Sequence, residues 1–180
     1  DLHLVFKNNY FLKNFLKERR NEDIKTSEIS LKINDHSNIE KLPRYDKGEW
    51  WVQDFSSMLP IYLSKEIKNK KIIDLCAAPG GKTFQSLAKN NKLTIIEKNK
   101  ERAKILNSNL KRLNFSNSIN LMDALDSDEK EKYDVILIDA PCSSVGTIRK
   151  NPEIFFRKDR EDINKYIQIQ KKLLKKSVKL

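Results

Sequence analysis

Only two cysteines, Cys76 and Cys142, occur in the 180 residues, and they are not spaced as C-x-x-C. That excludes a disulfide framework and a cysteine-built zinc site, and it fits a chain kept in a reducing cytosol. No apolar run approaches the ~18 residues of a membrane span, so no membrane partner is expected. The first residues, D-L-H-L-V-F-K-N-N-Y, lack the pattern of a signal peptide and an initiator Met, which reads as a fragment. Repeats and low-complexity tracts are absent too. The dinucleotide fingerprint G-x-G-x-x-G is missing, which sets a hydride-transfer enzyme well behind. Acids are in short supply: 25 Asp/Glu face 36 Lys/Arg, a net charge of +11, and such an excess favours a polyanionic partner. Lys and Asn are abundant throughout, so location tells more than the total. Residues 149–180 hold eleven Lys/Arg against four Asp/Glu, whereas residues 1–48 hold ten against eight.

What is present is centred on K-I-I-D-L-C-A-A-P-G-G-K-T, Lys71 to Thr83. A short apolar run carrying one carboxylate (Asp74) leads into small residues, then Pro79-Gly80-Gly81, and a helical pattern opens at Lys82. A buried strand, a tight glycine turn and a helix start bring backbone N–H groups close to a ligand. Two readings compete. Gly81-Lys82-Thr83 supplies the second half of a P-loop, and Val135-Ile136-Leu137-Ile138-Asp139 would serve as a strand ending in a magnesium-binding Asp. Against this, the first glycine of that pattern falls on Cys76, and Pro79 removes an N–H that phosphate would need. The other reading is a nucleoside-cofactor site of the methyltransferase kind, with acids at strand ends holding ribose and positive charge.

The rest of the chain alternates strand and helix. A helix is expected within residues 1–25, with Phe11, Leu12, Phe15 and Leu16 on one face, and one half-buried strand from Ser27 to Ile33. Trp50-Trp51-Val52 reads as a strand whose tryptophans are core. Helices are expected over Asp54–Lys68, from Lys82, over Lys100–Leu113 and over 160–178. Strands follow at Leu93–Ile96, Ile119–Leu121 and Val135–Ile138. Apolar strands alternating with helices imply a parallel α/β sheet that binds its ligand at the carboxyl ends of the strands. Glu97, 23 positions after Asp74, sits at such an end and can accept both hydrogen bonds of a ribose diol.

A second landmark runs from Tyr133 to Gly146, Y-D-V-I-L-I-D-A-P-C-S-S-V-G. Together, D-L-C-A-A-P-G-G-K-T and D-A-P-C-S-S-V-G-T-I-R-K-N-P-E resemble the cofactor and Pro-Cys motifs of RNA (cytosine-5) methyltransferases, most of all the bacterial Sun/Fmu type. G-E-W-W-V-Q-D-F-S-S (Gly48 to Ser57) is similar to the segment leading into that family's catalytic domain. The resemblance implies an α/β, Rossmann-like class I methyltransferase fold with an incomplete, mostly parallel sheet, preceded by the end of a small α+β RNA-binding subdomain. Residues 1–48 would then be the last part of that subdomain and residues 49–180 the first part of the catalytic domain.

The same resemblance implies S-adenosyl-L-methionine as cofactor, held by Cys76, Ala77, Ala78, Pro79, Gly80, Gly81, Lys82, Glu97, Asp123 and Asp139. It implies ribosomal RNA as partner; the chain itself is expected to be a monomer. Lys82 and Asp139 would hold a flipped-out cytosine, and Cys142 would assist release of the product. Read alone, Cys142 after a proline would be the nucleophile. In the family the attacking thiol comes from a later Thr-Cys motif, so it is expected beyond residue 180. Arg149, Lys150, Arg157, Lys158 and Arg160 read as a phosphate-contacting edge, and Lys171 to Lys179 as a solvated face. A silent RNA-binding fragment and a P-loop protein remain the alternatives at this point.

Overall fold

The computed structural model describes residues 2–19, 23–34, 38–64, 67–128, 130–148, 151–157 and 160–180, the side chains of Phe155, Arg157 and Arg160 excepted. The chain opens with strand β1 (Leu2–Phe6), helix α1 (Asn9–Glu18), and strands β2 (Ile24–Ser27), β3 (Ser30–Ile33) and β4 (Trp50–Val52). These strands form one antiparallel sheet in the order β2-β3-β1-β4. Because β4 is its edge strand, this sheet continues past residue 48. Helix α1 begins where the Asn8 side chain accepts the N–H of Phe11 at 3.1 Å, which supplies one of the partners a helix start lacks. Leu12 and Phe15 of α1 are buried against Leu4, Phe6, Leu31, Ile33 and Trp50.

Three details differ from expectation. The helix expected within residues 1–25 is α1, but residues 2–6 ahead of it form a strand that was not foreseen. Leu4, Val5 and Phe6 are all buried, so both faces are covered and the polar alternation that would mark a strand is lost. The single strand foreseen at Ser27–Ile33 is the second half of a hairpin that turns at Glu28 and Ile29. Helix α2 (Phe55–Leu63) stops short of Lys68 and carries Pro60 inside it.

The second sheet is parallel, in the order β7-β6-β5-β8. Its strands are β5 (Lys71–Asp74), β6 (Lys92–Glu97), β7 (Ile119–Leu121) and β8 (Val135–Leu137). Helices α3 (Gly81–Ala88) and α4 (Lys100–Arg112) contribute to the core on one face. The four-residue α5 (Ile154–Arg157) precedes α6 (Arg160–Ser177), which packs on the other face. Of α6, Ile169 and Leu173 meet the sheet, while Ile163, Ile167 and Leu174 of the foreseen apolar face are exposed. Because all three pairings are parallel, every strand's carboxyl end lies on one edge of the sheet.

The two sheets share a core. Val5 and Trp51 of the first pack with Met58 of α2 and with Ala77, Phe84, Leu106, Leu110 and Leu113 of the second. Polar contacts close the seam: Arg112 Nη1 donates to the carbonyls of Tyr45 (3.0 Å) and Trp50 (3.1 Å). Its guanidinium also lies 4.2 Å from the Tyr45 ring. The Lys7 ammonium donates to the Leu113 carbonyl and lies 4.7 Å from the Phe115 ring; burial lowers its pKa. At Gly48, with φ +64°, a Cβ would stand 1.9 Å from the Arg112 carbonyl oxygen, so the approach of the two units needs a glycine. Among the described residues, no helix is long and apolar enough to cross a membrane.

Candidate active site

Each parallel strand ends at, or is followed by, an acid on the same edge: Asp74 (β5), Glu97 (β6), Asp123 (after β7) and Asp139 (after β8). Between β5 and α3 the chain turns tightly. Gly80 takes φ +112° and ψ 0° at the start of α3, a conformation that L side chains avoid. A Cβ there would stand 2.3 Å from Phe84 Cζ and 2.5 Å from Leu106 Cδ1. The Ala77 N–H donates to the Ile96 carbonyl (3.1 Å) and the Leu75 N–H to that of Leu137 (3.0 Å), which ties the turn to both neighbouring strands.

Glu97 is buried and anchors the turn. Its Oε2 accepts the Ala78 N–H at 3.2 Å and its Oε1 the Asn99 N–H at 2.8 Å. Arg102, in the first turn of α4, donates to the Ala78 carbonyl. Asp123 Oδ1 accepts the Leu125 N–H at 3.0 Å, and its Oδ2 lies 3.4 Å from Lys98 Nζ. Cys76, Glu97 and Asp123 open into one cavity of about 240 Å³, walled also by Lys98, Asn99, Arg102, Leu125 and, from α6, Ile169, Lys172 and Leu173. Burial first, and the nearby Glu97 and Asp74 carboxylates second, push the Cys76 thiol up to about 11. Cys76 is therefore a thiol at neutral pH and no nucleophile.

A second cavity, of about 420 Å³, lies between the two sheets. Ala77, Pro79, Gly80, Gly81, Lys82 and Asp139 line it, with Gln53, Asp54 and Ser57 from the β4–α2 segment. Lys82 Nζ donates to Asp139 Oδ2 at 2.7 Å across 57 residues of sequence, and lies 3.4 Å from Ser57 Oγ. Asp74 forms part of the wall. Its Oδ2 accepts the Thr83 hydroxyl at 2.8 Å. Its buried Oδ1 has no well-formed hydrogen bond, although the Cys76 amide gives electrostatic support. Burial, reinforced by Asp139 and opposed by the Thr83 hydrogen bond, raises the Asp74 pKa from 3.8 to about 6.

The residues foreseen for the cofactor thus divide between two cavities that meet at Cys76–Ala78. Ala78 lines neither, but both its N–H and its carbonyl are held, by Glu97 and Arg102. Cys142 lies outside both. It is exposed, and its Sγ accepts the Ser144 N–H at 3.4 Å. Arg149, Lys150 and Lys158 lie outside the described residues, as do the side chains of Arg157 and Arg160. Lys172, foreseen on a solvated face, is exposed yet reaches the rim of the smaller cavity.

The P-loop alternative meets a physical obstacle. Thr83 is fully buried and its hydroxyl is committed to Asp74, whereas a P-loop threonine must reach magnesium. The residues do fit a nucleoside cofactor. Two strand-end carboxylates wall the smaller cavity, where a diol and an amino group need acceptors, and a helix starts at the glycine turn between the cavities. Sequence reasoning missed Gln53, Ser57, Asp74, Lys98, Arg102 and the α6 wall; only Asp74, a lone carboxylate in an apolar strand, carried a visible signal.

Known proteins resemble this chain in sequence and in fold. The family model described as "16S rRNA methyltransferase RsmB/F" matches residues 61–180. Ribosomal RNA small subunit methyltransferase B of Photorhabdus laumondii is 39% identical over 138 residues, covering 74% of this chain and 32% of that protein. The human 28S rRNA (cytosine(4447)-C(5))-methyltransferase is 37% identical over 158 residues, covering 83% of this chain and 19% of that protein. The chain therefore spans a third or less of these relatives' length. The crystal structure of NSun6 from Pyrococcus horikoshii with SFG superposes with a TM-score of 0.68 at 29% identity, covering 79% of this chain and 38% of that one.

Proposed function

Since the chain belongs to the 16S rRNA methyltransferase RsmB/F family, we propose that it carries the cofactor site and part of the base site of an S-adenosylmethionine-dependent RNA (cytosine-5) methyltransferase acting on ribosomal RNA. The observation that carries this reading is the 2.7 Å pair of Lys82 and Asp139, which joins the glycine-turn motif to the Pro-Cys motif at the mouth of one cleft. Support for the cofactor comes from the two acids in the smaller cavity and from a structural relative solved with SFG, an S-adenosylmethionine analogue.

In this reading Glu97 accepts hydrogen bonds from the ribose diol with the lone pairs not used by Ala78 and Asn99. Asp123 and Leu125 flank the adenine, and residues 76–82 form the backbone cradle. The cofactor, when bound, supplies an electrophilic methyl group on a sulfonium.

Cytosine C5 is too weak a nucleophile to take that methyl unaided. A cysteine thiolate adds to C6, a C6–S bond forms, and the ring electrons shift so that C5 becomes an enamine carbon. Once C5 carries the methyl, a general base takes the C5 proton, the electron pair left behind re-forms the C5–C6 double bond, and the C6–S bond breaks with its electrons returning to the thiolate. Addition at C6 builds negative charge on the ring. The Lys82 ammonium offsets that charge, and Asp139 accepts from the base's amino group. The family resemblance gives the attacking thiol to a Thr-Cys motif, and on that ground Cys142 is proposed for the elimination that releases product and not for the first attack. The antiparallel unit is the end of an RNA-binding subdomain. Arg149, Lys150, Arg157, Lys158 and Arg160 supply a phosphate-contacting edge, sequence-blind and salt-sensitive.

Calorimetry with S-adenosylhomocysteine and with ATP–magnesium tests the reading. The expected result is binding of the first and none of the second; binding of ATP–magnesium alone overturns it.

A further inference from the structure

A directional chain of buried side-chain hydrogen bonds runs between the first sheet, α3 and α2. Trp51 Nε1–H donates to Gln53 Oε1 at 2.8 Å, Gln53 Nε2 donates to Gln85 Oε1 at 2.8 Å, and Gln85 Nε2 donates to the Met58 carbonyl at 3.1 Å. All three bonds are buried, in the midst of Val5, Trp51, Met58, Phe84 and Leu87. Indole can only donate and a backbone carbonyl can only accept. The two ends therefore fix which way each amide points, and no reversed arrangement satisfies both. Such a network specifies one geometry, because every alternative leaves a buried polar group unpaired.

That geometry is what positions Lys82. Gln53 presses on the glycine turn, where a Cβ on Gly81 would lie 2.9 Å from Gln53 Cδ. Its backbone is held as well, since the Gln53 N–H donates to the His3 carbonyl at 3.1 Å. Lys82 and Gln85 of α3 and Lys89 at its C-cap follow helical spacing, and all three reach α2. Lys82 meets Ser57 Oγ at 3.4 Å, Gln85 the Met58 carbonyl, and Lys89 the Ile61 carbonyl at 2.6 Å.

We infer that Gln53 and Ser57 are positioning residues for Lys82. The Trp51–Gln53–Gln85–Met58 chain fixes the height and roll of α3 against the first sheet, and Ser57 holds the ammonium in line with Asp139. The aim of Lys82 is thus set by residues ahead of the cofactor motif. The importance of that aim rests on the base-holding role given to Lys82 above; the positioning itself does not.

The test uses the full chain with Gln53→Met, which keeps the bulk and removes both amide contacts, and with Ser57→Ala and Ser57→Thr. The rate of Lys82 acetylation by acetic anhydride is followed by mass spectrometry, with Lys104 as internal reference, alongside melting temperature and S-adenosylhomocysteine affinity. Gln53→Met should raise Lys82 acetylation about fivefold relative to Lys104, the shift expected if losing the amide chain weakens the aimed arrangement of Lys82 by about the net strength of one ordinary hydrogen bond. Ser57→Ala should raise it about twofold, in keeping with a long contact, with an unchanged melting temperature and restoration by Ser57→Thr. Should Gln53→Met fail to fold, the serine pair decides alone. Wild-type Lys82 reactivity in folded Ser57→Ala, or a fall in melting temperature for Gln53→Met with Lys82 reactivity unmoved, would overturn the assignment. If the wild-type chain bound no S-adenosylhomocysteine, the cofactor reading would fall while the Lys82 contrast still judged the positioning.

Discussion

Asp74 gives the most quantitative handle on this site. It is fully buried on β5 beneath the cleft, with a single side-chain donor, the Thr83 hydroxyl. Burial raises its pKa from 3.8 to about 6. Between those values the unfolded chain has released the proton while the folded chain retains it. The folded state therefore binds more protons, and the contribution of Asp74 to stability falls as pH rises through this window. The gap corresponds to about 3 kcal/mol of ionisation cost carried by the fold above pH ~6, at about 1.4 kcal/mol per tenfold change. Asp74→Asn keeps an acceptor for Thr83 and cannot ionise. Urea denaturation of wild type and variant at intervals from pH 4 to pH 7.5 isolates the effect in the difference, because carboxylates not coupled to Asp74 cancel. The variant should gain on the wild type by roughly 1.4 kcal/mol per pH unit between pH ~4 and ~6, then level off. A difference that does not vary with pH, or one of opposite slope, would refute the account of Asp74 as an ionisable group held at a cost.

Two further outcomes follow from the turn and its anchor. Gly80→Ala places a methyl group in contact with Phe84 and Leu106 at a left-handed backbone position, so denaturant titration should show a loss of about 2–4 kcal/mol, from overpacking plus backbone strain. Glu97→Ala removes the acceptor for two backbone N–H groups and, in the proposed reading, the ribose contact; calorimetry should show S-adenosylhomocysteine binding at least about tenfold weaker.

How much of this was legible beforehand depended on where the determining contacts lie. The β5–turn–α3 unit could be read because its strand, glycine turn and helix start are contiguous. Glu97 could be placed because a strand end is local information. Strand β1 could not, since covering both faces of Leu4, Val5 and Phe6 erases the alternation that marks a strand. The hairpin at Glu28-Ile29 lacks the Gly, Asn or Pro that announces most turns. Arg102, Leu125, Ile169 and Leu173 reach the smaller cavity from separate elements, so nothing in their spacing brings them together. Gln53 was invisible for a related reason. Its meaning depends on a donor two residues back and an acceptor 32 residues ahead.

The shared core bears on what the N-terminal unit contributes to chemistry. Trp51 belongs to β4, pairs with Val5 of β1, and packs edge-on against Phe84 of α3 with ring centroids 5.7 Å apart. Each such large side chain contributes about 1.5–3 kcal/mol when buried. A cut between residues 48 and 49 would strip β1 from β4, expose Trp50 and Trp51, and leave Arg112 without its Tyr45 carbonyl and ring. The cleft wall built by Gln53, Asp54 and Ser57 would lose its backing at the same time. A subdomain that only delivered RNA could hang on a linker. This unit is packed into the wall of the cleft that holds Lys82 and Asp139, so in the proposed reading RNA bound by it would be registered against that pair through the shared core.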